Sequence, residues 1–345
     1  MNHSEIQTEF DGPSLQFDFP NLLVGVADYV AGPTGCTVLY FPKRARCVID
    51  LRGGSPGTSM ANDGRLDALC FAGGSAYGLE AASGVTSELL AMRSFSTEWH
   101  DIAIVRAAVI YDFRARKNAI YPDHFLGRAA ILSARAGCFP LGRHGAGCSA
   151  RVGKAFGALN LDAEEAGQGG AFLQVRETRI VVFTVVNAMG GIVNRRGDVV
   201  RGQLDRNSGQ RVSVAEIQRR ILGSGRSPPP EPGNTTLTAV ITNQKLSEFE
   251  LKCLARQVHS SMARGIQPFH AWNDGDVLFA VTTDEIEEVA FDVTTLGLIA
   301  SELAWDAVLS CFSEGTYDTA VAAGSSTTKR APGPPVAASH RSLPP

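Results

Sequence analysis

Residues 223–243 read GSGRSPPPEPGNTTLTAVITN. The first half resists regular structure, because Pro228, Pro229 and Pro230 lack a backbone donor and hold the chain extended. The second half, Thr236–Thr242, alternates like a strand and is rich in Val, Ile and Thr. An exposed linker therefore runs directly into a strand at Asn234-Thr235-Thr236. Three readings of that junction are open. It is a plain loop entering a strand, with Thr235 as an ordinary β-former. It is an N-x-[ST] glycosylation acceptor at Asn234, which needs a secretory route. Or the Thr235 hydroxyl attacks the Asn234 carbonyl, the ester hydrolyses, and a new chain begins at Thr235. A Thr hydroxyl is a weak nucleophile and needs an adjacent base. The cut would supply one on the same residue, an α-amine whose ordinary pKa of about 7.7–8.0 lets it take a proton near neutrality. The linker would let the cut end leave the cleft.

Outward from this junction, β-like and helical patterns alternate. Strands are expected at Asn21–Ala27, Thr37–Phe41, Ala103–Tyr111, Ile180–Asn187, Thr236–Thr242 and Val277–Thr283. Helices are expected at Ala76–Met92, at Phe291–Phe312, and after Ser247, where Ser247 and Glu250 form a capping box ahead of an apolar face. Mixed strands and long helices imply a layered α/β or α+β architecture. Residues 1–15 are polar and read as a flexible start, and 324–345 as a disordered, Pro-rich tail.

Composition narrows the function. Lys plus Arg number 32 against 35 Asp plus Glu, a formal charge of −3, so no broad basic field invites nucleic acid. Seven cysteines, an odd number without CxxC spacing, fit reduced thiols in the cytoplasm better than a disulfide framework. The opening MNHSEIQTEFDGPSLQFDFP has neither a basic head nor an apolar run, so no signal peptide is expected. No apolar stretch approaches the ~18–20 residues of a membrane span, so no membrane partner is expected either.

Other motifs lose their first appeal on inspection. Gly147 to Lys154 imitates a phosphate loop, but five residues separate Gly147 from Gly153 and Ala155 follows Lys154 where Ser or Thr is needed. Asn273-Asp274-Gly275-Asp276 suggests calcium, yet the loop would start at His270 and end at Val281, which is no ligand. His259 and His270 lack zinc spacing. No metal or organic cofactor is expected. Gly73-Gly74 suits close packing beside a cleft, and Tyr77 and Phe269 suit either a pocket wall or the core.

Several blocks carry a resemblance. GNTTLTAVITN at Gly233–Asn243 and QVHSSMARGIQPFHAWNDGDVLFAVTTDEI at Gln257–Ile286 closely resemble the endo-type 6-aminohexanoate oligomer hydrolases, or nylon hydrolases. These lie within the N-terminal-nucleophile family that includes the D- and β-aminopeptidases. LCFAGGSAYGLEAASGV at Leu69–Val85, AVIYDF at Ala108–Phe113, GRHGAGCSARVGK at Gly142–Lys154 and VVNAMGGIV at Val185–Val193 follow the same family order. The resemblance spans Phe17 to Phe312 and departs mainly in 155–166, so substrate range is where a difference is expected.

The resemblance implies a four-layer α/β/β/α sandwich of the aminopeptidase and ornithine acetyltransferase-like type. It implies one catalytic domain cut between Asn234 and Thr235 into pieces 16–234 and 235–323, and a homo-oligomer, a tetramer of two-piece units. Thr235 would be the nucleophile. Lys154 would keep the new α-amine neutral or donate to the hydroxyl, and Asn187 would serve a developing oxyanion. Asp274 and Asp276 would orient Thr235 and Lys154 and offer an anchor for an ammonium group. Tyr111 would touch the substrate, an oligoamide or peptide; Tyr77 is a second substrate-binding candidate by its aromatic ring alone. The alternatives within reach are a β- or D-aminopeptidase acting on short peptides and an acyltransferase of the ornithine acetyltransferase type.

Overall fold

Strands buried on both faces frame the molecule, the sequence signature of sheets covered front and back. The computed structural model describes residues 5–312 apart from 60–61, 226–228, 230–232 and 288–290. In chain order the main strands are β1 Leu23–Tyr29, β2 Thr34–Leu51, β3 Gly64–Ala72, β4 Val105–Val109, β5 Gln168–Val175, β6 Thr178–Asn187, β7 Thr235–Gln244 and β8 Val277–Ile286. The main helices are α1 Glu80–Met92, α2 His124–Leu132, α3 Val214–Ser224, α4 Glu248–Ser261 and α5 Val293–Leu309.

Strand β2 ties two sheets together. Its first half pairs with β1 and β3, and β3 runs parallel to β4. Its second half pairs with β8, which runs parallel to β7; β6 and β5 follow antiparallel. The register breaks between Tyr40 and Ala45, with Arg44 at φ 59, and such a bulge bends a strand from one sheet to the next.

Side-chain alternation then sorts the apolar residues into three cores. Val26, Leu39 and Phe71 meet Phe183, Leu237 and Phe279 between the sheets. The opposite face of the second sheet, with Val182, Val240 and Leu278, packs on Leu254 and Val258 of α4 and Leu303 of α5. Val38, Cys70 and Val109 of the first sheet pack on Val85 and Leu89 of α1 and Leu126 and Ile131 of α2. The order is helices, sheet, sheet, helices: the expected four-layer α/β/β/α sandwich.

All six expected strands and all three expected helices are present, with shifted ends. The first expected helix is divided: Ser75–Gly78 forms one turn and α1 starts after Leu79, where Gly78 packs against the carbonyl of Gly73. The capping box forms as read, Ser247 Oγ accepting from Glu250 N while the Glu250 carboxylate accepts from Ser247 N at 2.7 Å. The start of the chain differs from expectation. Ile6–Gln7 pairs with the end of β1, and Ser14–Gln16 with Cys138–Pro140. Phe10 and Leu15 help close the inter-sheet core, which fixes a segment whose polarity suggested looseness. Most of the Pro-rich linker and the whole of 324–345 lie outside the described residues. Among the described residues no helix is long and apolar enough to cross a membrane.

Candidate active site

Three neighbouring strand ends bring the expected residues together. Thr235 is the first residue of β7, and its antiparallel partner is Asn187, the last residue of β6. On the other side, the turn before β8 places Asp274 beside Asn234 in an isolated parallel bridge, and Asp276 immediately precedes β8. Lys154 arrives from a separate turn. Gly153, at φ 74, lets the chain reverse there, and its N–H donates to Gly190 O at 2.8 Å. Asn187, Asn234, Thr235, Asp274 and Asp276 are all buried.

The hydrogen bonds converge on the two peptide units before Thr235. The Thr235 hydroxyl donates to its own preceding carbonyl, Asn234 O. Gly275 N–H donates to the same oxygen at 2.9 Å. One residue upstream, Gly233 O accepts from Lys154 Nζ at 2.8 Å and from Asn187 Nδ2 at 3.2 Å. Lys154 Nζ also donates to Asn187 O at 2.7 Å, and Asn187 Nδ2 to Tyr111 O at 3.1 Å. Thr236 N–H donates to Asp276 Oδ1 at 2.7 Å, which fixes the start of β7. In the uncut chain, then, Lys154 and Asn187 hold the Gly233 carbonyl, while Gly275 N–H holds the Asn234 carbonyl.

Burial, then the neighbouring Asp276 charge, raise the Asp274 carboxyl from 3.8 to about 7, against a smaller opposing pull that includes Lys154. A carboxyl raised in this way supports the fold below its unfolded pKa and loses that support as pH climbs through the folded value. In a Thr235→Ala background, which keeps the chain uncut, Asp274→Asn should therefore stabilise by an amount near zero at about pH 4, rising to a plateau above about pH 7 on the order of 4 kcal/mol. Urea unfolding across that range checks it; a gain independent of pH would assign the effect to packing instead.

Two features escaped the sequence reading, the packing of Gly233 and the pairing of His270 with Asp276. Gly275 has to be glycine, since a Cβ there would lie 2.7 Å from both Thr235 Oγ1 and Ser55 O. Gly233, at φ 88, packs against the ring of Tyr111. Behind the Asp pair, His270 gives its backbone N–H to Asp276 Oδ2 at 3.1 Å and sets Nδ1 3.0 Å from the same oxygen. The His270 ring meets His259 edge to face at 4.4 Å, and His259 Nδ1 lies 2.9 Å from Asp50 Oδ2. Burial lowers the His259 pKa. The two histidines do belong together, as support for a carboxylate. Among the described residues no cluster of three or more His, Cys, Asp or Glu is placed to hold a metal ion.

Two hollows flank the junction. A cleft of about 520 Å³ is lined by Thr235 together with Ser55, Val109, Tyr111 and Trp272. A pocket of about 260 Å³ opens on the other side of Gly233, beside Lys154 and Asn187. Gly157, Leu161, Asp162 and Ala163 wall it, so the 155–166 segment does border the site. Tyr111 lines both hollows, whereas Tyr77 lines neither; its exposed ring packs on Phe113 at 6.3 Å and Tyr121 at 5.7 Å.

The layered fold is that of the N-terminal-nucleophile hydrolases. A 6-aminohexanoate-oligomer endohydrolase of Paenarthrobacter ureafaciens is 47% identical over 306 residues, covering 86% of this chain and 85% of the relative. Two solved structures share the fold: a Burkholderia sp. beta-aminopeptidase, with TM-score 0.60, 12% identity and coverage of 88% of this chain and 89% of that one; and the L-aminopeptidase D-Ala-esterase/amidase of Ochrobactrum anthropi, with TM-score 0.59, 14% identity and 88% coverage of both. The profile of Peptidase family S58 matches residues 17–332, and the chain belongs to that family. It is an amide-bond hydrolase.

Proposed function

We propose that the chain cuts itself between Asn234 and Thr235 and then hydrolyses 6-aminohexanoate oligomers and related polyamides internally, through an ester on Thr235. The observation that carries this is the Asn234 carbonyl, which accepts both the Thr235 hydroxyl and the Gly275 N–H at the mouth of a buried strand. In the self-cut, Oγ bonds to the Asn234 carbonyl carbon, the bond from that carbon to the Thr235 nitrogen breaks as the hydroxyl proton passes to that nitrogen, and water hydrolyses the ester to the Asn234 carboxylate and the free Thr235 hydroxyl. The pieces are then 16–234 and 235–323, each with its outer extension, held together by the β6–β7 pairing across the cut.

Departure of Asn234 and Gly233 releases donors on Lys154 and Asn187 for a substrate carbonyl. The Lys154 charge disfavours a second cation nearby and keeps the α-amine of Thr235 able to accept a proton. Asp276 holds the Thr236 N–H, and Asp274 offsets the cationic groups. The relative's stated activity supports the choice of substrate. We also infer a homo-oligomer of four two-piece units in the cytoplasm. Large exposed apolar side chains such as Trp99, Phe249 and Leu298 support assembly, and seven thiols free of disulfides support a reducing compartment.

Product analysis on a linear 6-aminohexanoate tetramer tests the substrate reading. Internal cutting yields dimers early; stepwise release of single amino-terminal units would favour the aminopeptidase instead. Capture of the acyl group by an added amine ahead of water would favour acyl transfer.

A further inference from the structure

We propose that His270 is a positioning residue of this hydrolase, its Nδ1–H aiming the Asp276 carboxylate at the strand start that carries Thr235. The role rests on Thr235 as the nucleophile. Asp276 uses its two carboxylate oxygens differently. Oδ1 accepts the Thr236 N–H at 2.7 Å, one residue beyond Thr235. Oδ2 accepts the His270 backbone N–H at 3.1 Å and lies 3.0 Å from His270 Nδ1. The main chain of Asp276 is held separately, its carbonyl accepting from the Arg52 N–H at 2.9 Å. With the backbone pinned, the freedom left is rotation of the carboxyl group, and the imidazole removes it.

The surroundings fix both the ring and its proton. His270 sits at φ 58, a left-handed conformation that costs free energy for most side chains and in which Asn, Asp and His are the commonest exceptions. Its ring centroid lies 3.9 Å from that of Phe269 and meets His259 edge to face at 4.4 Å. His259 is itself locked. It is fully buried, and its Nδ1 lies 2.9 Å from Asp50 Oδ2, which also accepts from Arg52 Nε at 2.8 Å. Among the described residues, the Nε2 atoms of both histidines are buried without a hydrogen-bond partner. A proton on either Nε2 would leave a buried N–H unsatisfied, so each ring carries its proton on Nδ1, facing its carboxylate. Two donor–carboxylate pairs thus stand back to back, Asp50 with His259 and His270 with Asp276, and reach from the end of β2 to the start of β7.

The test measures kcat and KM on a linear 6-aminohexanoate tetramer, and self-cutting by intact mass, for three substitutions that differ in one nitrogen. His270→Gly removes the ring and adopts φ 58 without strain. His270→Asn also adopts it and sets an amide nitrogen close to the place of Nδ1. His270→Leu has the shape of the Asn variant without the donor, and serves if the glycine variant fails to fold. In the Gly and Leu variants kcat should fall by about 10²-fold, the scale of a small misplacement at a reacting centre, with KM changed by less than about threefold. His270→Asn should recover kcat to within about tenfold of wild type, and self-cutting should follow the same order. Urea unfolding of each substitution in a Thr235→Ala background reports stability apart from chemistry. A wild-type kcat without the nitrogen, an Asn variant no better than the other two, or rates that follow stability instead of the nitrogen overturns the positioning role while leaving the hydrolase reading intact. Loss of the fold in all three variants assigns His270 to stability alone and overturns it too. A wild-type protein that neither cuts itself nor turns over the tetramer overturns the nucleophile reading, and the role of His270 with it.

Discussion

Thr235→Ala should run as a single chain of 36.6 kDa, whereas the wild-type protein should resolve into residues 1–234 and 235–345. Amide hydrolysis should fall by more than about 10⁴-fold, the scale on which loss of a nucleophile is felt in other acyl-transfer enzymes. The substitution removes a hydroxyl and a methyl at a buried strand start and leaves the backbone pairing Asn187↔Thr235 available. Its cost to stability should be about 1–2 kcal/mol, too small to unfold the sandwich. The loss is therefore chemical. Thr235→Ser keeps the hydroxyl and should still process. Intact mass gives the cut site directly. A Thr235→Ala chain that still splits before residue 235, or that still turns over oligomer, places the nucleophile elsewhere.

The layering was legible because its cause is local. Both sheets are covered on both faces, so β6 and β8 carry nearly unbroken apolar runs while β7 alternates apolar residues with threonines, and α4 announces itself through a cap and an apolar stripe. Strand β5 was hidden by its QGGAF start, where Gly169 packs close to the carbonyl of Ala307 in α5, a contact that only the folded chain reveals. The long strand β2 was half seen, because Pro42–Arg46 breaks the apolar pattern at the bulge where it changes sheet.

The site divides in the same way. The junction at Asn234-Thr235 stood out by a change of composition within a few residues, and its companions came from blocks in family order. The signal for His270 was present in the sequence, six residues before Asp276, but its meaning depends on a turn that aims both groups at one oxygen. The pocket beside Lys154 could not be read at all. Its arginines come from positions 114, 151 and 206, far apart in the chain and individually unremarkable.

Gly275→Ala should slow self-cutting by about 10²–10³-fold while leaving the fold in place. Two atoms crowd the new methyl at 2.7 Å, and they differ in what they can do. Ser55 O is backbone, pinned by the 2.9 Å bond from Ser55 N–H to Asp274 O. Thr235 Oγ1 is the end of a side chain, so it can rotate away, which takes it off the Asn234 carbonyl. If the turn yields instead, the Gly275 N–H moves off the same carbonyl oxygen. Either relaxation removes a group acting on the bond to be cut. Overpacking of this kind costs about 1–3 kcal/mol of stability, which a sandwich with three apolar cores tolerates. Gly223→Ala is the matched control, because a Cβ at that α3 position meets nothing within 4 Å. It should process at the wild-type rate. A time course of intact mass on freshly made protein separates the outcomes: uncut Gly275→Ala chain persisting beside a fully cut control supports the carbonyl geometry, and equal rates would mean that Gly275 does not act on the Asn234 oxygen during the reaction.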